Sequence, residues 1–132
     1  MQKDQAAQAV DPLAPYYDRM LQQAGLSPPV RTRQGFAEYL SAYFAPHSFD
    51  ITHSRNALDH SLNPLRALME MLEITRPGGI VFTDHSRNEA VKENWQGFHQ
   101  WNFDNRNGDF VIWNREAIHS VNEIFSGVAE VQ

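Results

Sequence analysis

Phe49–His85, FDITHSRNALDHSLNPLRALMEMLEITRPGGIVFTDH, decides the fold. It reads as strand, loop, helix, Gly-Gly turn and second strand, which together make one right-handed βαβ unit. Phe49, Ile51 and the Ala57-Leu58 pair are apolar around a strand ending near Ser54, and Leu65, Leu68, Met69 and Leu72 recur at helical spacing behind Pro64. Pro77-Gly78-Gly79 then stops the helix and releases Ile80-Val81-Phe82, an apolar triplet that predicts a strand covered on both faces. Polar residues gather where the two strands end: Ser54, Arg55, Asn56, Asp59 and His60 after the first, Asp84, His85, Arg87 and Asn88 after the second. Open α/β sheets bind ligands in the crevice beyond such strand ends.

Upstream, residues 1–9 are polar and Ala-rich without apolar periodicity and are expected to be a frayed start or a remnant, so the domain is placed at 10–132. Leu13, Tyr16, Tyr17, Met20 and Leu21 follow helical spacing up to Gly25, and Ser27-Pro28-Pro29 leads into a short polar strand near Val30-Arg31-Thr32. Phe36, Tyr39, Leu40, Tyr43 and Phe44 predict a second helix ended by Pro46. This alternation favours an α/β domain, mainly a parallel sheet with helices on both faces. After Asn88 the aromatic, Asn- and Gly-rich run predicts an irregular excursion with an extended piece at Phe110, Ile112 and Trp113, then a final helix over Ile118, Val121, Ile124 and Phe125. Val128–Val131 has the look of a strand beginning.

At 132 residues the chain can bury a real core as one domain. It has no Cys and no apolar run long enough to span a bilayer, so a cytoplasmic protein without membrane association is expected. A formal charge of -5 without a basic stripe argues against nucleic-acid binding.

Several of these residues carry a family resemblance. Phe49-Asp50, Leu58-Asp59-His60, Glu70-Met71 and Arg76-Pro77-Gly78-Gly79, with Gly35-Phe36-Ala37-Glu38 upstream, resemble the fourth-to-fifth-strand region of class I S-adenosylmethionine-dependent methyltransferases. The resemblance implies an incomplete Rossmann-like fold with S-adenosyl-L-methionine as cofactor and a small-molecule methyl acceptor. It also implies roles for single residues. Asp11 would receive the ribose hydroxyls, Phe36 and Ala37 would border the adenine, and Ser54 and Asn56 would meet the cofactor after the fourth strand. The family's Gly-rich turn, G-x-G-x-G after its first strand, is absent from these residues, and Phe36 stands where an Asp commonly accepts from the adenine amino group. A truncated relative, impaired as an isolated chain, is therefore expected. In the family the first strand lies between the second and fourth, so its absence leaves inner edges to be covered by direct pairing, by N-terminal residues or by a second copy in a homo-oligomer.

Each candidate has a plainer reading beside it. Asp11 would also cap a helix starting at Pro12, Phe36 would serve as a core residue, Glu38 would simply sit in a first helical turn, and Asn56 would stabilise a turn. His60 and His99 are the candidate bases for a hydroxyl acceptor, with Asp59 available to orient an imidazole. Asn88, Glu89, His99 and Trp101 read as substrate-binding lid residues, or as an aromatic mini-core closing the sheet. Asp84, His85, His99 and His60 raise a metal-dependent hydrolase as an alternative, but no H-x-x-x-H pair fixes two ligands on one face, so no metal is assigned. A noncatalytic interaction domain that kept the fold and lost the pocket is the other alternative.

Overall fold

The computed structural model describes residues 7–132, so the expectation for residues 1–6 lies outside the described residues. Strand β1 (Ala9–Val10) pairs in parallel with β2 (Thr32–Arg33), Ala9 opposite Thr32, so ordered pairing begins within the stretch expected to fray. Between them runs helix α1 (Ala14–Ala24), with Pro15 in its first turn. Gly25 closes it in the left-handed conformation at φ 65°, and the Leu26 amide returns to the Leu21 carbonyl, the paired-bond ending that suits glycine. The apolar stripe of α1 is not buried as its periodicity implies: Leu13, Tyr16, Tyr17 and Met20 are exposed, because a strand pair two residues long is too narrow to cover it.

The decisive βαβ unit forms as expected. Strand β3 (Phe49–Arg55), helix α2 (Pro64–Ile74) and strand β4 (Thr75–Asp84) follow in order, with β3 and β4 parallel from Ile51 opposite Ile80 to Arg55 opposite Asp84. Asn63 caps α2 by accepting the Arg66 amide at 3.0 Å, and Pro64 occupies the first turn. Its core face is Ala67, Leu68, Met71 and Ile74, one step round from the predicted stripe, and Met69 points to solvent. The helix ends at Ile74 rather than at the Pro-Gly-Gly turn. Thr75 already pairs with Phe49, and Arg76–Gly79 form the irregularity between that pair and the regular ladder. A Cβ at Gly79 would stand 2.7 Å from the Asp50 carbonyl, so the two strands approach there only because residue 79 is glycine.

The α/β architecture forms, but the expected mainly parallel sheet is small and partly antiparallel. It is divided into β1-β2, β3-β4 and a three-stranded antiparallel sheet. Helix α2 covers one face of β3-β4, where the Thr52 and Thr75 hydroxyls meet at 2.9 Å; on the other face Ile51, Ile80 and Phe82 are 59%, 57% and 53% exposed. The prediction that Ile80-Val81-Phe82 is covered on both faces is therefore corrected.

The Phe36–Phe44 helix is a 3-10 segment (Ala37–Ala42) broken at Tyr39, whose φ of −136° is not helical. The expected irregular excursion is a hairpin: α3 (Glu89–Lys92) leads to β5 (Asn102–Arg106) and β6 (Asp109–Trp113), antiparallel across Asn107-Gly108. Both turn residues have positive φ, 55° and 86°, as a two-residue hairpin turn demands. The predicted last helix divides into β7 (Ile118–Ser120), paired to β6, and the one-turn α4 (Val121–Ile124), while Val128–Val131 forms no strand. Leu40, Leu58, Leu68, Met71, Ile74, Phe103, Ile112, Val121 and Phe125 make one core between α2 and the hairpin. Among the described residues no helix is long and apolar enough to cross a membrane.

Candidate functional site

The polar ends of β3 and β4 lie together, as the sequence predicts. Asn56 follows β3 in the left-handed region at φ 46°, its amide donates to the Asp84 carbonyl at 2.8 Å, and its side-chain oxygen accepts the Ser86 amide at 3.0 Å. A single 3-10 turn (Leu58–His60) comes next. Leu58 is sunk in the core, which carries Asp59 inward to 4% exposure and leaves His60 exposed at the surface.

His99 reaches the same place from the loop between α3 and β5. Its Nδ1 lies 3.0 Å from Asp59 Oδ2, and His60 Nε2 lies 3.2 Å from His99 Nδ1 and 3.4 Å from Asp59 Oδ2. The two imidazoles stand nearly perpendicular, 75° apart with centroids at 4.5 Å. Asp59 Oδ1 is buried without a hydrogen-bond partner among the described residues. Asn56, Asp59, His60, Ser86, Glu89 and His99 line a pocket of about 170 Å³, room for a small polar group rather than for a whole cofactor.

Of the predicted site residues, the fold thus brings Asn56, His60, Glu89 and His99 into one pocket. Ser54 remains within β3 opposite Thr83. Asn88, expected to bind substrate, is committed to the framework: its amide nitrogen donates to Asp104 Oδ2 at 3.3 Å and its oxygen accepts the Trp113 indole N–H at 3.0 Å. Trp101, also expected to bind substrate, packs against the core, as the mini-core reading has it.

Asp11, Phe36 and Ala37 form a second group at the ends of β1 and β2. The Asp11 amide donates to the Arg33 carbonyl at 3.1 Å, and the Gly35 amide donates to the Asp11 carbonyl at 3.4 Å. Asp11 Oδ1 accepts the Leu13 amide at 2.7 Å in a turn ahead of α1, but the helix starts at Ala14 with Leu13 in the cap position and no side-chain cap bond, so Asp11 does not cap a helix starting at Pro12. Phe36 is not a core residue: it precedes the 3-10 segment and is 48% exposed, whereas Ala37 packs against the core.

Glu38 connects the two groups. It is buried, and Oε1 accepts the Leu62 and Asn63 amides at 2.8 and 3.3 Å, fixing the loop between Asp59 and α2. A first-turn position alone did not indicate this. Ser86 in the pocket was likewise not singled out, because only the Asn56 hydrogen bond draws it there.

Behind the pocket His85 stacks on Phe103, centroids 4.1 Å apart, with both ring nitrogens buried and without a partner among the described residues. Burial holds its pKa below the ordinary value, against the opposing pull of Asp59 and Asp84. Burial acts to raise the pKa of Asp104, but hydrogen bonds from Arg87 and Asn88 and the Arg87 charge outweigh it and keep that carboxyl below its usual range.

Comparison with known proteins bears on what this geometry serves. The family model described as "Methyltransferase domain" matches residues 5–83, a span that covers β1 to β4 and ends one residue before the end of β4. A solved structure, the YcgJ protein from Bacillus subtilis, aligns with a TM-score of 0.48 and 23% identity over 72% of this chain and 52% of that one. The chain thus spans about half the length of that protein. No curated protein matches.

Proposed function

The chain belongs to the methyltransferase domain family, and from that premise we propose that it takes S-adenosyl-L-methionine beside the ends of β1 to β3 and serves methyl transfer to a small-molecule acceptor. The convergence of the loops after β3 and β4 on one pocket with two imidazoles and a buried carboxylate carries this reading.

The residues present fit part of the cofactor. Asp11 offers a carboxylate for the ribose diol, and the exposed Phe36 ring offers an apolar surface to a purine, next to Asp11 through the Gly35 hydrogen bond. Asn56 lines the pocket itself. When bound, the cofactor supplies an electrophilic methyl carbon. The protein's part is to align an acceptor and to take its proton: Asp59 orients the His99 ring, and an imidazole nitrogen facing the pocket is suited to a hydroxyl acceptor.

What these residues lack is a Gly-rich turn able to bring backbone N–H groups against the methionine end. Weak cofactor binding by the isolated chain follows. Titration calorimetry with S-adenosylhomocysteine is expected to show binding weaker than micromolar. Micromolar affinity overturns the impairment, and no heat even at millimolar ligand overturns the methyl-donor reading in favour of a noncatalytic domain.

A further inference from the structure

Spacing along the chain pointed away from a metal, yet the fold assembles a ligand set from distant residues. Asp59 Oδ2, His60 Nε2 and His99 Nδ1 form a triangle with edges of 3.0, 3.2 and 3.4 Å. We propose that this triangle is the seat of a divalent transition-metal ion, held by one carboxylate oxygen and two imidazole nitrogens.

Hydrogen bonding accounts poorly for the arrangement. Each ring nitrogen is either a donor or an acceptor, so protons satisfy at most two of the three edges. If both imidazoles donate to Asp59, two N–H groups face each other across 3.2 Å; if His60 donates to His99, two lone pairs face each other across 3.0 Å. A cation resolves the conflict, because all three atoms then present lone pairs to it. Its place is geometrically available: a point about 2.0–2.2 Å from each atom, the usual length of zinc bonds to imidazole and carboxylate, lies just off the plane of a triangle this size.

A separate observation supports the seat. Asp59 is almost wholly buried and its Oδ1 has no partner among the described residues, an arrangement that leaves carboxylate charge uncompensated from that side. A positive ion at Oδ2 compensates it. His60 is the exposed member, so the ion's open positions face the pocket wall of Asn56, Ser86 and Glu89 and remain accessible to a ligand oxygen. Two imidazoles with one carboxylate favour zinc or ferrous iron over magnesium or calcium, which prefer all-oxygen sets. The ion and the His99–Asp59 hydrogen bond use the same Nδ1 atom, so the metal-loaded site and the proton-accepting site are alternative states of these residues. The ion needs no methyl donor, so its binding stands apart from the S-adenosylhomocysteine result.

The test is titration of tag-free, metal-stripped protein with Zn²⁺ alone. One equivalent is expected to bind at micromolar affinity or better, and His60→Gln, His99→Gln and Asp59→Asn are each expected to weaken it by about tenfold or more. His53→Gln and His119→Gln, outside the triangle, should leave it unchanged. No stoichiometric binding, or binding that survives both His60→Gln and His99→Gln, overturns the proposal. Should a variant fail to fold, the wild-type protein decides: Zn²⁺ must shield His60 and His99, but not His53, from diethylpyrocarbonate as read by mass spectrometry, and equal labelling with and without the ion refutes the site.

Discussion

The side-chain oxygen of Asn56 accepts the backbone amide of Ser86 at 3.0 Å, which joins the loop after β3 to the loop after β4. The same residue adopts φ 46°, a conformation that asparagine tolerates and alanine resists. Asn56→Ala loses both the bond and the backbone preference and is expected to destabilise the fold by about 1–2 kcal/mol. Asn56→Gly keeps the backbone preference and should lose less. Urea denaturation of the two variants checks the order, and a reversed ranking refutes this account of the turn.

Glu38 has a comparable structural role through its carboxylate. Removing it in Glu38→Ala strands the Leu62 and Asn63 amides, at a cost of about 1–3 kcal/mol, whereas Glu38→Gln retains an acceptor and should lose roughly half as much. Chemical unfolding measures both. An alanine variant as stable as wild type would show that the loop finds other partners.

At Gly79 the obstacles are two backbone carbonyls as well as a side-chain methyl. A methyl group there would overlap the carbonyls of Asp50 and Arg76 and the Thr75 methyl, so Gly79→Ala is expected to cost about 1–3 kcal/mol. Gly108→Ala has open space around its Cβ and strains only the positive φ of a surface turn, which makes it the milder change. Thermal melts of the pair give the comparison.

The pH dependence of stability should show His85. Its folded pKa lies below the ordinary 6.5, so the unfolded chain binds more protons in that range. The contribution is complete above about pH 6.5 and declines as pH falls below it. His85→Phe preserves stacking on Phe103 and removes the titration, and it should flatten the stability profile between about pH 7 and pH 5. Unfolding curves across that range decide, and an unchanged slope in the variant removes His85 as the cause. A second decline is expected lower. Burial pushes the Glu70 and Asp104 carboxyls up, but hydrogen bonds from Ser41 and Arg66 to Glu70, and from Arg87 and Asn88 to Asp104, bring both below their ordinary 4.5 and 3.8. Their stabilisation is present above those values and lost as pH falls through the depressed ones.

Self-association is also expected. Among the described residues β1 pairs with β2 and β3 with β4, but the two pairs do not join, so inner edges stay open. Light scattering over a concentration series should detect dimers or larger species. A monomer at the highest concentrations removes the idea.

What could be read in the residues followed the reach of the forces involved. The βαβ unit was legible because its signals are local: Asn63-Pro64 starts the helix, the apolar spacing of α2 continues it, and Ile80-Val81-Phe82 extends β4. Gly25 marked a helix end for the same reason. The hairpin β5-β6 was only half read, although Asn107-Gly108 is its turn signal, because aromatic residues on both strands mask alternation. In the pocket, Asn56, His60, Glu89 and His99 were named, whereas the engagement of Asn88 with Asp104 and Trp113 depends on tertiary contacts that no local pattern encodes.

Asp59 and His99 stand 40 positions apart along the chain. No short peptide carries both, and bringing them together requires closing a long loop at an entropic cost. A molecule gripping the two would consequently act as a clasp on the segment between them, favouring by mass action the forms that keep the two together over those that part them. Melting temperature would then climb with the logarithm of its concentration, turning the stability of the protein into a gauge of occupancy.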